Sequence, residues 1–71
     1  MYYNLQKYRE EKGISQLKLS KLSGVSQGTI SLIESGKRVP TVFIAKKLAV
    51  VLGVTVDEMI VDDYKVAEKK R

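Results

Sequence analysis

The side chains available for chemistry in this chain are amides, hydroxyls, carboxylates and cations, because histidine, cysteine and tryptophan are all absent. Without an imidazole or a thiol, the sequence offers no histidine-based catalysis, no cysteine nucleophile and no thiolate or imidazole ligand for zinc. The carboxylate pairs Asp57-Glu58 and Asp62-Asp63 stand at a predicted helix start and in a polar tail, with no acid–base partner beside them. We therefore expect neither an enzyme nor a metal or other cofactor.

The chemistry that remains is hydrogen bonding and charge. Amide and hydroxyl side chains recur through residues 15–35, and two cations, Lys37-Arg38, follow them. Residues 1–47 carry nine basic and three acidic groups, a net charge of +6, whereas residues 48–71 carry four basic and five acidic groups, a net charge of −1. This asymmetry favours a polyanionic partner, although a scattered solvating surface is the alternative on charge alone. A membrane surface is disfavoured, because it would need one strongly basic amphipathic segment and the sequence has none.

The elements that must position these groups have helical periodicity, which predicts an all-α domain of five short helices. The first helix is predicted over residues 3–12, with Leu5 and Tyr8 facing inward and Gly13 as its stop. Each later helix follows a hydroxyl residue that can accept the free amides of a first turn; these are Ser15, Ser26, Thr41 and Thr55. The predicted packed residues are Leu19, Leu22 and Ser23 on the second helix, Ile30 and Ile33 on the third, Leu48, Leu52 and either Ile44 or Ala45 on the fourth, and Met59 with Ile60 on the fifth.

Length and hydropathy bound the organisation of the chain. We expect one domain over residues 1–61 and a polar tail over residues 62–71. No apolar run approaches the roughly 20 residues that span a bilayer, and the first residues lack the basic-then-apolar order of a signal peptide. The expected location is the cytoplasm.

One stretch, residues 16–35, combines two helices with a turn of three residues, Gly24-Val25-Ser26. Ser20 supplies a small side chain where the helices cross, and Gly24 tolerates a positive φ. The apolar wedge between the two helices is predicted to be Leu19, Val25, Ile30 and Ile33. This combination is typical of a helix-turn-helix, with a helical hairpin of no special function as the alternative.

Beyond this motif, the chain resembles the Cro/phage-repressor-type (XRE-like) helix-turn-helix family from Leu5 to Ile60. The segments that carry the resemblance are YREEKGISQ at 8–16, GVSQGTISLIESGKR at 24–38 and LGVTVDE at 52–58. It implies a lambda-repressor-like DNA-binding domain whose helix-turn-helix is formed by helices 2 and 3. The implied function is sequence-specific transcriptional regulation on double-stranded DNA. We expect a repressor that binds a pseudo-palindromic operator as a homodimer.

The resemblance also implies site residues. Base contacts fall to Gln27, Gly28, Ser31 and Leu32, and phosphate contacts to Gln16, Ser26, Thr29, Ser35, Lys37, Arg38 and Lys7. Gln27 can pair with adenine and Leu32 can pack on a thymine methyl. Gly28 either allows close approach to the bases or is simply a low-cost glycine in a first turn. Lys18 and Lys21 are interpreted as a solvated face.

Two further sets follow from the same resemblance. Arg9 and Glu34 are expected to form a structural salt bridge, with a phosphate contact as the alternative role of Arg9. The dimer interface is expected at Val54, Val56, Met59 and Ile60. Leu17, Phe43 and Val50 are apolar where the family is commonly polar, which indicates tighter packing, a partner surface or simply the scattered exposed apolar residues of a normal surface.

A different class of function stays open: an interaction module that keeps the fold without binding DNA. Among regulators, a phage or mobile-element repressor, a restriction-modification controller and an antitoxin all fit. We expect no sensor domain, so regulation would act through protein level, dimerisation or a protein partner that modulates activity.

Overall fold

The computed structural model describes residues 2–61, which form five short helices and one pair of two-residue strands. In chain order these are β1 (Tyr2–Tyr3), α1 (Leu5–Glu11), α2 (Gln16–Ser23), α3 (Gln27–Glu34), α4 (Val42–Leu52), α5 (Val56–Met59) and β2 (Ile60–Val61). The prediction of an all-α fold with five helices is confirmed. The predicted polar tail, residues 62–71, lies outside the described residues.

Hydroxyl caps set where four of these helices begin, as the sequence predicts. Each side-chain oxygen accepts the backbone amide three residues later, at 3.0–3.2 Å: Ser15 from Lys18, Ser26 from Thr29, Thr41 from Ile44 and Thr55 from Glu58. The Glu58 side chain also accepts the backbone amide of Thr55 at 2.8 Å, which completes a capping box on the shortest helix. Each such cap stabilises its helix by about 1 kcal/mol.

The turn between α2 and α3 depends on Gly24, whose φ of 77° is left-handed. A side chain with a Cβ rarely adopts this conformation, so glycine allows α2 to end and α3 to begin after only three intervening residues. Val25 in the middle of the turn is buried. The turn therefore holds the two helices together through its own apolar residue.

The core lies where α2 packs against α3 and α4. Its buried residues are Leu5, Leu19, Val25, Ile30, Ile33, Leu48, Ala49, Leu52 and Met59. On α4, Ala45 is buried and Ile44 is only partly so. Leu22, predicted to be packed, is 54% exposed, so that prediction is wrong. Leu22 follows Leu19 by three residues, which is less than the roughly 3.6 residues of a full turn, so it lies toward the edge of the side of α2 that faces the core.

Residues near the two ends of the described chain meet in a way that periodicity does not predict. Tyr3, predicted as helical, instead lies in β1 and pairs antiparallel with Ile60, while Tyr2 pairs with Val61. The Asn4 amide donates to the Met59 carbonyl at 2.7 Å, and the Tyr8 hydroxyl donates to the Glu58 carbonyl at 3.1 Å. Aromatic and β-branched residues favour extended backbone once a partner strand is present. The result is that α1 is anchored to α5.

None of the helices in residues 2–61 is long and apolar enough to cross a membrane.

Candidate nucleic-acid interface

The outward face of α3 carries all four residues predicted to contact bases. Gln27, Gly28, Ser31 and Leu32 are exposed, whereas Ile30 and Ile33 on the opposite side are buried in the core. Ser31 follows Gln27 by four residues and Leu32 follows Gly28 by four, so the set forms one strip along a single face of the helix. We call Gln27, Gly28, Ser31 and Leu32 the α3 strip.

Gly28 is not demanded by packing within the protein. A Cβ placed on it would meet nothing within 4 Å, and its φ does not lie in the left-handed region. Alanine would therefore fit the fold, and would be favoured over glycine by helix propensity. Either a surface outside the protein approaches this backbone, or the glycine is merely tolerated in the first turn.

A polar cluster surrounds the amino-terminal end of α3. The Ser26 hydroxyl accepts the Thr29 amide at 3.2 Å and donates to Thr29 Oγ1 at 2.8 Å. Arg38, from the loop after α3, donates from Nη1 to the same Thr29 Oγ1 at 3.4 Å. The loop cation is thus held beside the first turn of α3, where free backbone amides and the helix dipole already favour an anion.

The remaining predicted phosphate contacts are less closely grouped. Ser35 is exposed at the end of α3 and its hydroxyl donates to the Leu32 carbonyl at 3.1 Å, while exposed Lys37 donates its backbone amide to the same carbonyl at 2.9 Å. Lys7 on α1 is exposed, with its ammonium 5.7 Å from the centre of the Tyr8 ring. Lys7 and Glu34 line the same surface depression, so this part of α1 lies beside the end of α3.

Arg9 and Glu34 join α1 to the end of α3. Arg9 Nε donates to Glu34 Oε2 at 2.7 Å and Nη2 donates to Oε1 at 3.3 Å, a bidentate pair in which the side chains are 11% and 5% exposed. Arg9 Nη1 also donates to the Ile14 carbonyl at 2.8 Å. The hydrogen bond from Arg9 to the Glu34 carboxylate raises the pKa of the guanidinium above its ordinary value. This nearly buried salt bridge links α1 to α3, and it is not an exposed surface ion pair.

Gln16, predicted as a phosphate contact, is the third member of this network. Its Nε2 donates to Glu34 Oε1 at 2.8 Å. Sequence reasoning did not find this contact, because it joins residues on two different helices. The only available signal is that all three side chains have matching donor and acceptor chemistry.

The residues predicted at the dimer interface differ in accessibility. Val54, Val56 and Ile60 are half-buried, so part of each side chain remains at the surface. Met59 is fully buried, so its side chain does not reach the surface of the protomer. The backbone amide of Asn4 donates to the Met59 carbonyl at 2.7 Å, so the start of α1 lies beside the end of α5.

Two apolar residues of α4 point away from the core. Phe43 is 78% exposed and Val50 is 79% exposed, seven positions apart on the helix face opposite Leu48 and Leu52. Leu17 on α2 is also exposed. Tighter packing therefore does not explain these apolar residues, which leaves a partner surface or the scattered exposed apolar side chains that are normal on a protein.

Comparisons with known proteins agree with this geometry. A family model described as helix-turn-helix matches residues 5–59. An uncharacterized HTH-type transcriptional regulator, y4dJ, from Sinorhizobium fredii (strain NBRC 101917 / NGR234) is 40% identical over 57 residues, which cover 80% of this chain and 74% of that protein. The crystal structure of the restriction-modification controller protein C.AhdI from Aeromonas hydrophila is 32% identical, with a TM-score of 0.76 over 80% of this chain and 86% of that one.

Proposed function

The chain belongs to the helix-turn-helix family of DNA-binding transcriptional regulators, and on that premise we propose that it is a repressor that binds a pseudo-palindromic operator as a homodimer. Membership of this family also identifies the chain as a regulator rather than an enzyme.

The observation that carries the proposal is the α3 strip. Its polar members can read base edges in the major groove, which is wide enough to admit a helix. Gln27 would hydrogen-bond an adenine through N6 and N7, and Leu32, at 41% exposed, offers an apolar surface for a thymine methyl. Ser31 lies between them and can either donate or accept. We therefore expect A·T base pairs at the positions that Gln27 and Leu32 contact.

Phosphate contacts would flank the strip. The cluster of Ser26, Thr29 and Arg38 supports one phosphate site at the start of α3, with Gln16, Ser35, Lys37 and Lys7 as further contacts. Three of these seven residues are cations. If each neutralises one phosphate, the logarithm of the binding constant falls against the logarithm of salt with a slope of roughly −0.9 per phosphate.

Dimerisation would set the spacing of the two half-sites. The exposed parts of Val54, Val56 and Ile60 support a two-fold contact through the α4–α5 turn and α5, with Met59 packing behind it from within the protomer. A two-fold dimer places its recognition helices about one DNA turn, roughly 34 Å, apart. The operator is therefore expected to be pseudo-palindromic.

The burial and hydrogen bonding of the Glu34 carboxylate favour repression over activation. Glu34 is the single acidic residue of α3 that an activating contact could use. Its carboxylate is nearly buried and bonded to Arg9 and Gln16, so it offers little to a polymerase. Occupation of a promoter by the dimer is the simpler mode of action.

The domain and its setting follow from the same proposal. Residues 1–61 would form the DNA-binding domain, residues 62–71 the polar tail, and the regulator would act in the cytoplasm. The exposed side chains of Phe43 and Val50 lie on one side of α4 and are where a protein partner that modulates activity would bind, in addition to the homodimer.

DNA footprinting on an operator selected from a random library tests the proposal. The expected result is two protected half-sites with inverted symmetry, and weaker protection when Gln27→Ala replaces the wild-type protein. Glu11→Ala, an exposed acid on α1 away from the α3 strip, serves as the matched control. A selection that enriches no sequence, with binding equal on all DNA, would favour the interaction module instead.

A further inference from the structure

Glu34 accepts hydrogen bonds from two side chains on different helices. Arg9 of α1 provides two of them, and Gln16, the first residue of α2, provides the third at 2.8 Å. We propose that Glu34 is a positioning residue for DNA binding, which acts by orienting the Gln16 amide toward a backbone phosphate. The inference rests on the proposed function, because it requires the DNA contact of Gln16.

The chemistry of the acceptor fixes which end of the Gln16 amide faces Glu34. An ionised carboxylate can only accept, so the amide must present its nitrogen and not its oxygen. The same nitrogen carries a second N–H, which is the donor that a phosphate oxygen requires. A free glutamine would sample both orientations and several rotamers, and ordering it on binding would weaken the complex. Glu34 removes that freedom before DNA arrives.

The negative charge of Glu34 is unfavourable near DNA unless another group neutralises it. A carboxylate close to DNA repels the phosphates, and its removal should on Coulombic grounds strengthen binding. Here the bidentate contact with Arg9 balances the charge of Glu34. The carboxylate can therefore orient Gln16 while adding little net repulsion.

The two effects predict opposite signs for Glu34→Gln. In that variant the new side-chain oxygen is held by Arg9 and its NH2 group faces Gln16. The Gln16 amide must then turn over and offer its oxygen where the donor stood. We expect the affinity for the operator to fall roughly tenfold per half-site, the scale of one hydrogen bond to a charged group. A purely electrostatic role would raise the affinity instead.

A double-mutant cycle identifies the route of the effect. Gln16→Ala alone should weaken binding to a similar extent, and adding Gln16→Ala to Glu34→Gln should weaken it less than about twofold further. The salt slope should stay unchanged, because Gln16 is uncharged. A structural role that does not involve Gln16 would make the two losses multiply.

Circular dichroism would show whether Glu34→Gln folds. If it does not, a second variant at the same pair provides the test. Arg9→Met with Glu34→Leu replaces the buried pair by apolar residues, a change that folds are known to tolerate. Gln16→Ala in that background is expected to change operator affinity less than about twofold, although it costs roughly tenfold in the wild-type protein.

The outcomes separate this inference from the proposed function. Equal or tighter operator binding by Glu34→Gln overturns the positioning role, as does a loss on Gln16→Ala that is equally large in all backgrounds. Gln16→Ala binding like wild type also overturns it, while the regulator proposal stands. A wild-type protein that selects no operator contradicts the proposed function itself.

Discussion

Removing the Glu34 carboxylate should lower the free energy of unfolding far more than removing an exposed acid. In Glu34→Ala, Arg9 keeps its bond to the Ile14 carbonyl but loses both bonds to the carboxylate. Its charge is then left without a partner at a position that is only 11% exposed. Breaking a buried pair from one side costs about 3–5 kcal/mol.

That loss is large for so small a domain. A domain of about 60 residues is stabilised by only roughly 3–9 kcal/mol in total, so Glu34→Ala should stand near the limit of folding. Urea denaturation followed by circular dichroism would measure it as a lower midpoint with an unchanged slope. Glu11→Ala, which removes an exposed glutamate from α1, is expected to change stability by under about 0.5 kcal/mol.

The apolar double variant completes the experiment. Arg9→Met with Glu34→Leu removes both charges together, and it should be within about 1 kcal/mol of the wild-type protein or more stable than it. The single variant would then be the least stable of the set. A loss below about 1 kcal/mol for Glu34→Ala would refute the reasoning, because that is the value of an exposed pair.

Four further predictions concern the proposed DNA and partner surfaces. Gly28→Ala should raise the free energy of unfolding by up to about 1 kcal/mol, measured by urea denaturation. The same change should lower operator affinity if the backbone at Gly28 approaches the bases. Unchanged affinity would mean that the glycine is only tolerated there. Gln27→Ala should reduce discrimination for its base pair by about 1–3 kcal/mol in competition binding, with little change on non-specific DNA. Arg38→Ala should make the salt slope shallower by about 0.9 per subunit, and an unaltered slope would remove Arg38 from the phosphate contacts. Phe43→Gln with Val50→Gln should alter monomer stability by under about 0.5 kcal/mol per site, because both side chains are already exposed; any change in sedimentation mass would identify this side of α4 as a contact between copies.

Local chemistry made much of the fold predictable. The four hydroxyl caps and Gly24 depend on neighbours within a few residues, so the sequence places the starts of α2 to α5 and the turn correctly. Tyr3 could not be assigned from its surroundings, because its strand partner, Ile60, lies near the other end of the described chain.

The candidate site also combines features that the sequence predicts with features that depend on long-range contacts. The α3 strip is implied by the family resemblance, and the burial of Ile30 and Ile33 is consistent with it because the strip lies on the opposite side of the helix. The bond between Gln16 and Glu34 depends on how α2 and α3 cross, which spacing alone does not fix. Leu22 shows the limit of periodicity on a short helix, where a residue at the edge of the apolar side can remain in solvent.

The pairing of β1 with β2 has a consequence for the order of folding. It closes a loop that contains every helix of the described chain, and closure of a long loop is entropically unfavourable until the intervening segments are compact. Local helices form quickly, whereas contacts distant in sequence form late. The bond from the Asn4 amide to the Met59 carbonyl should thus be among the last to form. Hydrogen exchange at that one amide would act as a reporter of whether the whole domain, rather than its helix-turn-helix alone, has reached the native state.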